Sequence, residues 1–296
     1  MRRGPAIAAA APMAGPFLAA KLHALDDRLK DVAPRVTGTT VDAAAVHDLR
    51  VALRRTRTLL EVGAPLLGRF RADEVRRSLR GVMRATGALR DDEVLLELLG
   101  SLGVERPDVR AWLEVRSKRE QRLRHALVRH VEAGELDRGR ALLEALLAFR
   151  VNPRRDRRLA KYARRALDRA RRDVDRRKAA RPDDPAALHR LRIAYKRVRY
   201  TAETFAEALP REAPAIASRA ARMQARLGDL HDVDVAIACV RRARSLPPDA
   251  RAELCEALAH ARGARLAGYL RELGPVSAAP LLQLAGSDSL RKISTR

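Results

Sequence analysis

The sequence predicts an all-α protein made of two similar helical halves. Three observations carry that expectation. Ala, Leu and Arg dominate a chain of 296 residues that is 47% hydrophobic, and β-branched residues are few, which favours helix over strand. Helical patterns succeed one another between punctuating prolines and glycines. A sixteen-residue stretch of the first half returns 142 positions later in the second.

Taken in order, Pro16 opens a first helix over 16–33, and Gly63 closes a second over 41–62. A third over 70–86 ends at Gly87, and a fourth over 91–100 stops at the glycines of 100 and 103. Pro107 opens the fifth, 107–133, and Gly134 separates it from the sixth, 137–150. A second series follows over 154–180, 184–208, 212–227, 232–245 and 248–272. Its clearest start is Asp184 followed by Pro185, a cap acceptor and then a proline where no amide bond is lost. Residues 1–15 are expected to form a flexible leader. Arg2 and Arg3 before an Ala-rich stretch mimic a secretory signal, but Pro5, Pro12 and Pro16 interrupt it. Residues 273–296, ending in a polar stretch from Ser287, are expected to be loosely held. No apolar run approaches bilayer length.

The duplication is the strongest signal. VHDLRVALRRTRTLLE, Val46–Glu61, lies over LHRLRIAYKRVRYTAE, Leu188–Glu203, with seven of sixteen positions identical. His47, Arg50, Arg55, Arg57 and Glu61 answer His189, Arg192, Arg197, Arg199 and Glu203, while Arg54 faces Lys196. A second match pairs Gly87–Val94 with Gly228–Val235 at offset 141, with Arg90 opposite His231. Two ordered matches at nearly one offset imply halves of about 16–150 and 154–272 related by a pseudo-two-fold axis.

Lys and Arg number 61 against 37 Asp and Glu, a formal charge of +24. Fifty-four of the 61 are Arg, as a GC-rich genome alone would produce, so placement has to carry the meaning. On a helical wheel His47, Arg50, Arg54 and Arg57 fall within an arc of about 80°, beside a buried arc of Leu49, Leu53, Thr56 and Leu60. Arg55 points elsewhere. The second helix sets His189, Arg192, Lys196 and Arg199 beside Leu191, Tyr195 and Val198. A cationic stripe bordering the core puts eight basic or ionisable side chains on one groove or channel. Like charges three or four residues apart destabilise an isolated helix, so an anion is expected to compensate them. Repeated Arg forks suit a linear phosphate polymer. The rival is that Asp91, Asp92, Glu93, Asp232 and Asp234 pair with these arginines inside the bundle. The most basic segment, 154–181, carries fourteen Lys or Arg against four Asp. Lys21 and Lys161 occupy nearly equivalent repeat positions and are expected to approach the same groove. Arg80, Arg84, Arg222 and Arg226 form a second tier.

His47-x-x-Arg50-x-x-x-Arg54-Arg55-x-Arg57 and its copy from His189 resemble the CHAD family, the conserved histidine α-helical domain. The motif from Gly87 through Arg90-Asp91 to Val94 is similar to the family's second signature. The resemblance spans roughly 16–272. It implies two four-helix-bundle-like halves around a basic central cavity, binding of inorganic polyphosphate, and association with polyphosphate granules. It brings Arg55 and Arg197 into the binding set with the stripes, Lys21 and Lys161. Many relatives carry a fused triphosphatase-type domain, and this chain is expected to stand alone. His231 in place of Arg90 departs from the repeated pattern. A separate polyphosphate-metabolising enzyme is an expected partner, and the cytoplasm the expected location.

Other classes fit less well. No P-loop, nucleophile elbow, kinase signature or EF-hand spacing occurs. Cys239 and Cys255 are sixteen positions apart, without the C-x-x-C of a zinc or redox site. His47-Asp48 and His231-Asp232 are dipeptides of the kind that metal-dependent HD phosphohydrolases use, but Asp48 becomes Arg190 in the repeat. One Trp, four Tyr and four Phe leave few surfaces for base stacking, so nucleic acid is expected only as a weaker polyanion. No cofactor, metal or catalytic residue is expected.

Overall fold

The structure, a computed structural model, describes residues 11–38, 43–149, 151 and 153–274. Among them it has ten helices and no strand. These are α1 Ala14–Thr37, α2 Ala43–Leu67, α3 Arg69–Ser78, α4 Arg80–Gly100 and α5 Pro107–Glu132. They continue with α6 Glu135–Ala148, α7 Leu159–Asp175, α8 Pro185–Thr204, α9 Ala213–Arg241 and α10 Pro248–Leu273. The all-α expectation holds.

Leucines at helical spacing explain the first layer. Leu18, Leu22, Leu25, Leu29 and Val32 of α1 face Leu49, Leu53 and Leu60 of α2, and all are buried. The same core takes in α3, α6 and α7. It is closed by Phe205, whose ring lies 5.9 Å from Phe17 and 6.2 Å from Tyr162. The Tyr162 hydroxyl donates to the Val62 carbonyl at 2.6 Å, tying α7 to the end of α2. A second core joins Leu188 and Leu191 of α8, Leu227 and Leu230 of α9, and Leu266 and Tyr269 of α10. A third packs the end of α4 and start of α5 against α9 and α10 through Leu95, Trp112, Val233 and Leu254. The helices α2 and α8 therefore run through the middle, flanked by α4 and α9.

Two predicted boundaries are absent and one appears elsewhere. Gly87 and Gly228 lie inside α4 and α9, not at helix ends. An interior glycine costs about 1 kcal/mol. Here Leu89 and Leu227, Leu230 and Val233 bury on either side of it and keep the helix continuous. The break comes instead at Leu79, between α3 and α4, with φ −75° and ψ −2°. Leu79 is buried against Gly139 of α6, where any side chain would collide with it. The helix predicted over 154–180 is shorter, Leu159–Asp175. Of the predicted leader, residues 11–15 are described and are held. Ala14 donates to the Arg157 carbonyl at 2.9 Å, and Leu159 donates to that of Pro12 at 2.8 Å. Asp156 also accepts from the Gly15 amide at 3.0 Å. Residues 1–10 and 275–296 lie outside the described residues. The predicted cap is present: the Asp184 carboxylate accepts from the Ala187 amide at 2.9 Å.

Candidate functional site

On α2 the buried row Leu49, Ala52, Leu53, Thr56 and Leu60 leaves Arg50 and Arg54 half-buried at its edge and Arg57 exposed. On α8 the row Leu188, Leu191, Ala194 and Val198 does the same for Arg192, Lys196 and Arg199. The two edges meet. Burial lowers the Arg50 guanidinium from its usual range, and Arg90 and Arg192 add to that effect against Asp91. Burial likewise lowers Arg54, with Arg50, Arg199 and Arg55 pressing in the same direction. Lys196 is the extreme case, pushed down to about 7 by burial first and then by Arg54, Arg192, Arg50 and Arg57. Among the described residues, Arg50, Arg54, Arg57, Arg192 and Lys196 form no salt bridge.

Two details give the cluster shape. The Arg54 guanidinium lies 5.1 Å and that of Arg199 5.6 Å from the ring centre of buried Tyr200, which orients both planes. Arg192 packs along α9 at Gly228, where a Cβ would sit 3.5 Å from its Nε. The Nε groups of Arg54 and Arg192 are both buried with no acceptor among the described residues. A buried donor left unmade costs about 1–3 kcal/mol, so both call for an oxygen acceptor.

The flanking helices supply a second group. His189 and His231 lie with ring centres 4.2 Å apart and Nδ1 atoms 3.2 Å apart. Burial, then each other's charge and that of Arg192 and Lys196, pushes His189 down. Burial and Arg192 push His231 down. Both imidazoles are thereby pushed towards the neutral form, with their Nδ1 atoms at hydrogen-bonding distance. The substitution of His231 for Arg90 thus builds a histidine pair beside Arg192, whereas His47 in the first half is exposed. Asp232, raised by burial, and Asp91 sit at the rim. The other predicted carboxylate partners bind elsewhere: Asp92 to Arg119 at 2.6 Å, Glu93 to Arg124 at 3.1 Å and Asp234 to Arg262 at 2.6 Å.

Not every predicted residue joins this cluster. Arg55 pairs with Glu203 at 3.9 Å, and Arg197 with Glu61 at 2.7 Å and Asp173 at 3.3 Å. The pairs are reciprocal, each arginine meeting the glutamate that closes the other copy of the motif. Arg199 keeps a link to Glu203 at 2.7 Å. Lys21 binds Glu207 at 2.5 Å in a cleft shared with Arg28, Arg55 and Tyr200. Lys161 lies in a different cleft, so the two lysines do not meet. Of the second tier, Arg80 and Arg84 line a cleft of about 550 Å³ that also takes in Arg57, Arg77 and Arg76, the last paired with Asp73 on the same wall at 2.7 Å. Arg222 is held by Glu272 at 2.8 Å, and Arg226 approaches Gly268. Arg76 and Arg77 were not anticipated, although four-residue spacing would put Arg76, Arg80 and Arg84 on one face of the single helix that the sequence predicts over 70–86. Neither HD dipeptide gathers carboxylates: Asp48 pairs with Arg35 at 3.0 Å, and His231 faces His189. Among the described residues no group of three or more His, Cys, Asp or Glu could hold a metal ion. No described helix is long and apolar enough to cross a membrane.

Comparison with known proteins follows the same lines. The family model of the CHAD domain matches residues 19–241, through the end of α9. The crystal structure of the CHAD domain from the plant Ricinus communis superposes with a TM-score of 0.66 at 24% identity, over 97% of each chain. PptA from Streptomyces chartreusis superposes with a TM-score of 0.65 at 19% identity, over 89% of this chain and all of that one. At these identities the two likenesses establish the fold. No curated protein matches the chain in sequence.

Proposed function

The chain belongs to the CHAD domain family, and from that premise we propose that it binds long-chain inorganic polyphosphate across the α2/α8 cluster, without turning it over. One observation carries the reading. Five basic side chains from two helices, Arg50, Arg54, Arg57, Arg192 and Lys196, share one half-buried edge, where burial first and then the four arginines bring Lys196 down to about 7, and two buried Nε donors lack acceptors among the described residues. A bound phosphate chain supplies what is missing on every count. Its oxygens accept from the Arg54 and Arg192 Nε groups, its charge offsets the mutual repulsion, and its repeat presents successive oxygens to side chains spaced about 5–6 Å along each helix. The reciprocal pairs Arg55–Glu203 and Arg197–Glu61 support the reading of two duplicated halves, with the stripes on either side of the axis. Those pairs assign Arg55 and Arg197 to holding α2 and α8 together.

A solvent-facing charge contact is worth about 0–1 kcal/mol, so affinity must accumulate along the polymer. Binding should therefore rise with chain length and fall steeply with salt. Granule association and service to a separate polyphosphate enzyme are the cellular roles that fit such a module. The test is titration with long-chain polyphosphate, tripolyphosphate and single-stranded DNA at two salt concentrations. The variant combining Arg50→Glu, Arg54→Glu, Arg192→Glu and Lys196→Glu is measured beside the native chain. Tight, length-dependent binding, stronger than to DNA at equal charge and lost in a variant of unchanged helix content, supports the proposal. Unchanged affinity in that variant removes it. Orthophosphate release from the polymer, with or without divalent metal, would replace the binding role with a hydrolytic one.

A further inference from the structure

The cleft that takes Lys161 away from the α2/α8 cluster is itself an unusual place. It lies where the end of α2 turns through Gly68 into α3 and where the segment before α7 runs past, and it encloses about 590 Å³. Six cations line it: Arg69, Arg155, Arg157, Lys161, Arg165 and Arg169. No Asp or Glu does. Arg157 is anchored to the carbonyls of Arg154 and Asp156 at 3.0 and 2.8 Å. The other five make no salt bridge among the described residues, although the protein pairs many of its arginines elsewhere.

The placement repeats the design of the α2/α8 cluster in a different part of the fold. Tyr162, Ala163, Ala166, Leu167 and Ala170 are the buried row of α7. Lys161, Arg165 and Arg169 form a row beside it, rising about 6 Å per step. The corresponding position on α1 is neutralised, because Lys21 meets Glu207 and its cleft contains Glu203. The α7 cleft has no such carboxylate. It is also separate from the α2/α8 cluster: Leu66, on its wall, lies nine residues beyond Arg57, about 14 Å further along α2.

We propose that this cleft is a second anion site, specific for a compact oligophosphate segment, either free or as a stretch of a longer polymer. It rests on the same charge chemistry as the α2/α8 reading but does not require that cluster to be occupied. A long chain that reaches both sites binds the second intramolecularly, so affinity steps up once the polymer spans them. A tripolyphosphate fills either site alone.

The experiment is calorimetry with tripolyphosphate at low salt on three proteins: the native chain, a triple variant with Lys161→Gln, Arg165→Gln and Arg169→Gln, and the α2/α8 quadruple charge-reversal variant. The native chain should bind two tripolyphosphates, and each variant one. Long polyphosphate should bind the triple variant at least tenfold more weakly than the native chain. A single site in the native chain, unchanged in the triple variant, overturns the second site and leaves the first intact. Loss confined to the triple variant keeps the α7 cleft and sinks the α2/α8 reading instead. Equal occupancy by single-stranded DNA at matched charge overturns the oligophosphate specificity. Should the triple variant fold poorly, amine labelling of the native chain gives the same answer. Tripolyphosphate should protect Lys161 several-fold while leaving Lys21, already bound to Glu207, unchanged. Equal labelling of Lys161 with and without tripolyphosphate contradicts the site.

Discussion

Lys196 is the residue at which charge, burial and ligand meet. Its ammonium is pushed down to about 7 by burial and by four arginines, against 10.5 in an unfolded chain. Between those two values the unfolded state holds the extra proton. Without ligand, the lysine's contribution to stability therefore rises as pH climbs from about 7 towards 10.5, and below 7 its full penalty is present. A polyanion reverses the preference by stabilising the charged form. Binding at pH 8 should thus take up a proton, and affinity should decline as pH rises above 7. Calorimetry at pH 8 in buffers of different ionisation enthalpy reads that uptake directly. It should vanish in Lys196→Met, which should also flatten the rise in thermal stability over the same pH range. The neighbouring arginines divide by partner. Arg54→Ala removes a charged donor from a buried, unpaired position and should weaken polyphosphate binding about tenfold or more. Arg55→Ala removes a member of a half-exposed pair, so affinity should stay within about twofold while stability falls by about 0–1 kcal/mol, and Arg197→Ala, which also leaves the buried Asp173, should spare affinity alike but cost more stability. Spacing along the sequence revealed the stripe of Arg50, Arg54 and Arg57, because three- and four-residue steps define a helix face. It could not reveal that Arg55 and Arg197 are bound to the opposite copy's glutamates, since that pairing exists only once α2 and α8 cross.

At the scale of the element, two glycines in similar surroundings on paper behave differently in space. Gly87 sits inside α4 with nothing within 4 Å of where a Cβ would be. Gly87→Ala should therefore stabilise the protein by about 0.5–1 kcal/mol through helix propensity alone. Gly139 in α6 is pressed by Leu79, the residue at which α3 gives way to α4. Gly139→Ala should destabilise by about 1–3 kcal/mol, because the methyl forces the two helices apart. Urea unfolding of both variants, which should move the midpoint in opposite directions, checks the pair. The same contrast explains which boundaries could be seen beforehand. The starts at Pro107, Asp184–Pro185 and Pro248 were legible because proline and the cap act locally, within one turn. The glycines at 87 and 228 were misleading, because a helix buried on both sides tolerates the propensity loss. The break at Leu79 has no proline, and its nearest glycine, Gly81, falls inside the first turn of α4. Leu79 there packs on Gly139 of α6, a tertiary contact that the local sequence does not show.

For the whole molecule, the charge of +24 poses a sharp alternative. If the charge acts as a diffuse field, removing any four cations should weaken polyanion binding only in proportion to four of 61. If the ligand is held in the α2/α8 cluster, four chosen cations should matter far beyond their number. Salt dependence separates the two, since each phosphate neutralised lowers the slope of log K against log salt by about 0.7–0.9. Replacing Arg50, Arg54, Arg192 and Lys196 by Gln should therefore reduce the slope for long-chain polyphosphate by about three. Four exposed arginines taken from outside both sites, such as Arg110, Arg122, Arg241 and Arg244, provide the control of equal charge. That control should leave the slope nearly unchanged and affect affinity only at low salt, where the screening length reaches across the molecule. Equal slopes for the two quadruple variants would mean that the fold displays its charge without focusing it. Unequal slopes would locate the ligand where α2 and α8 bring Arg50, Arg54, Arg192 and Lys196 together with no salt bridge among the described residues to hold them.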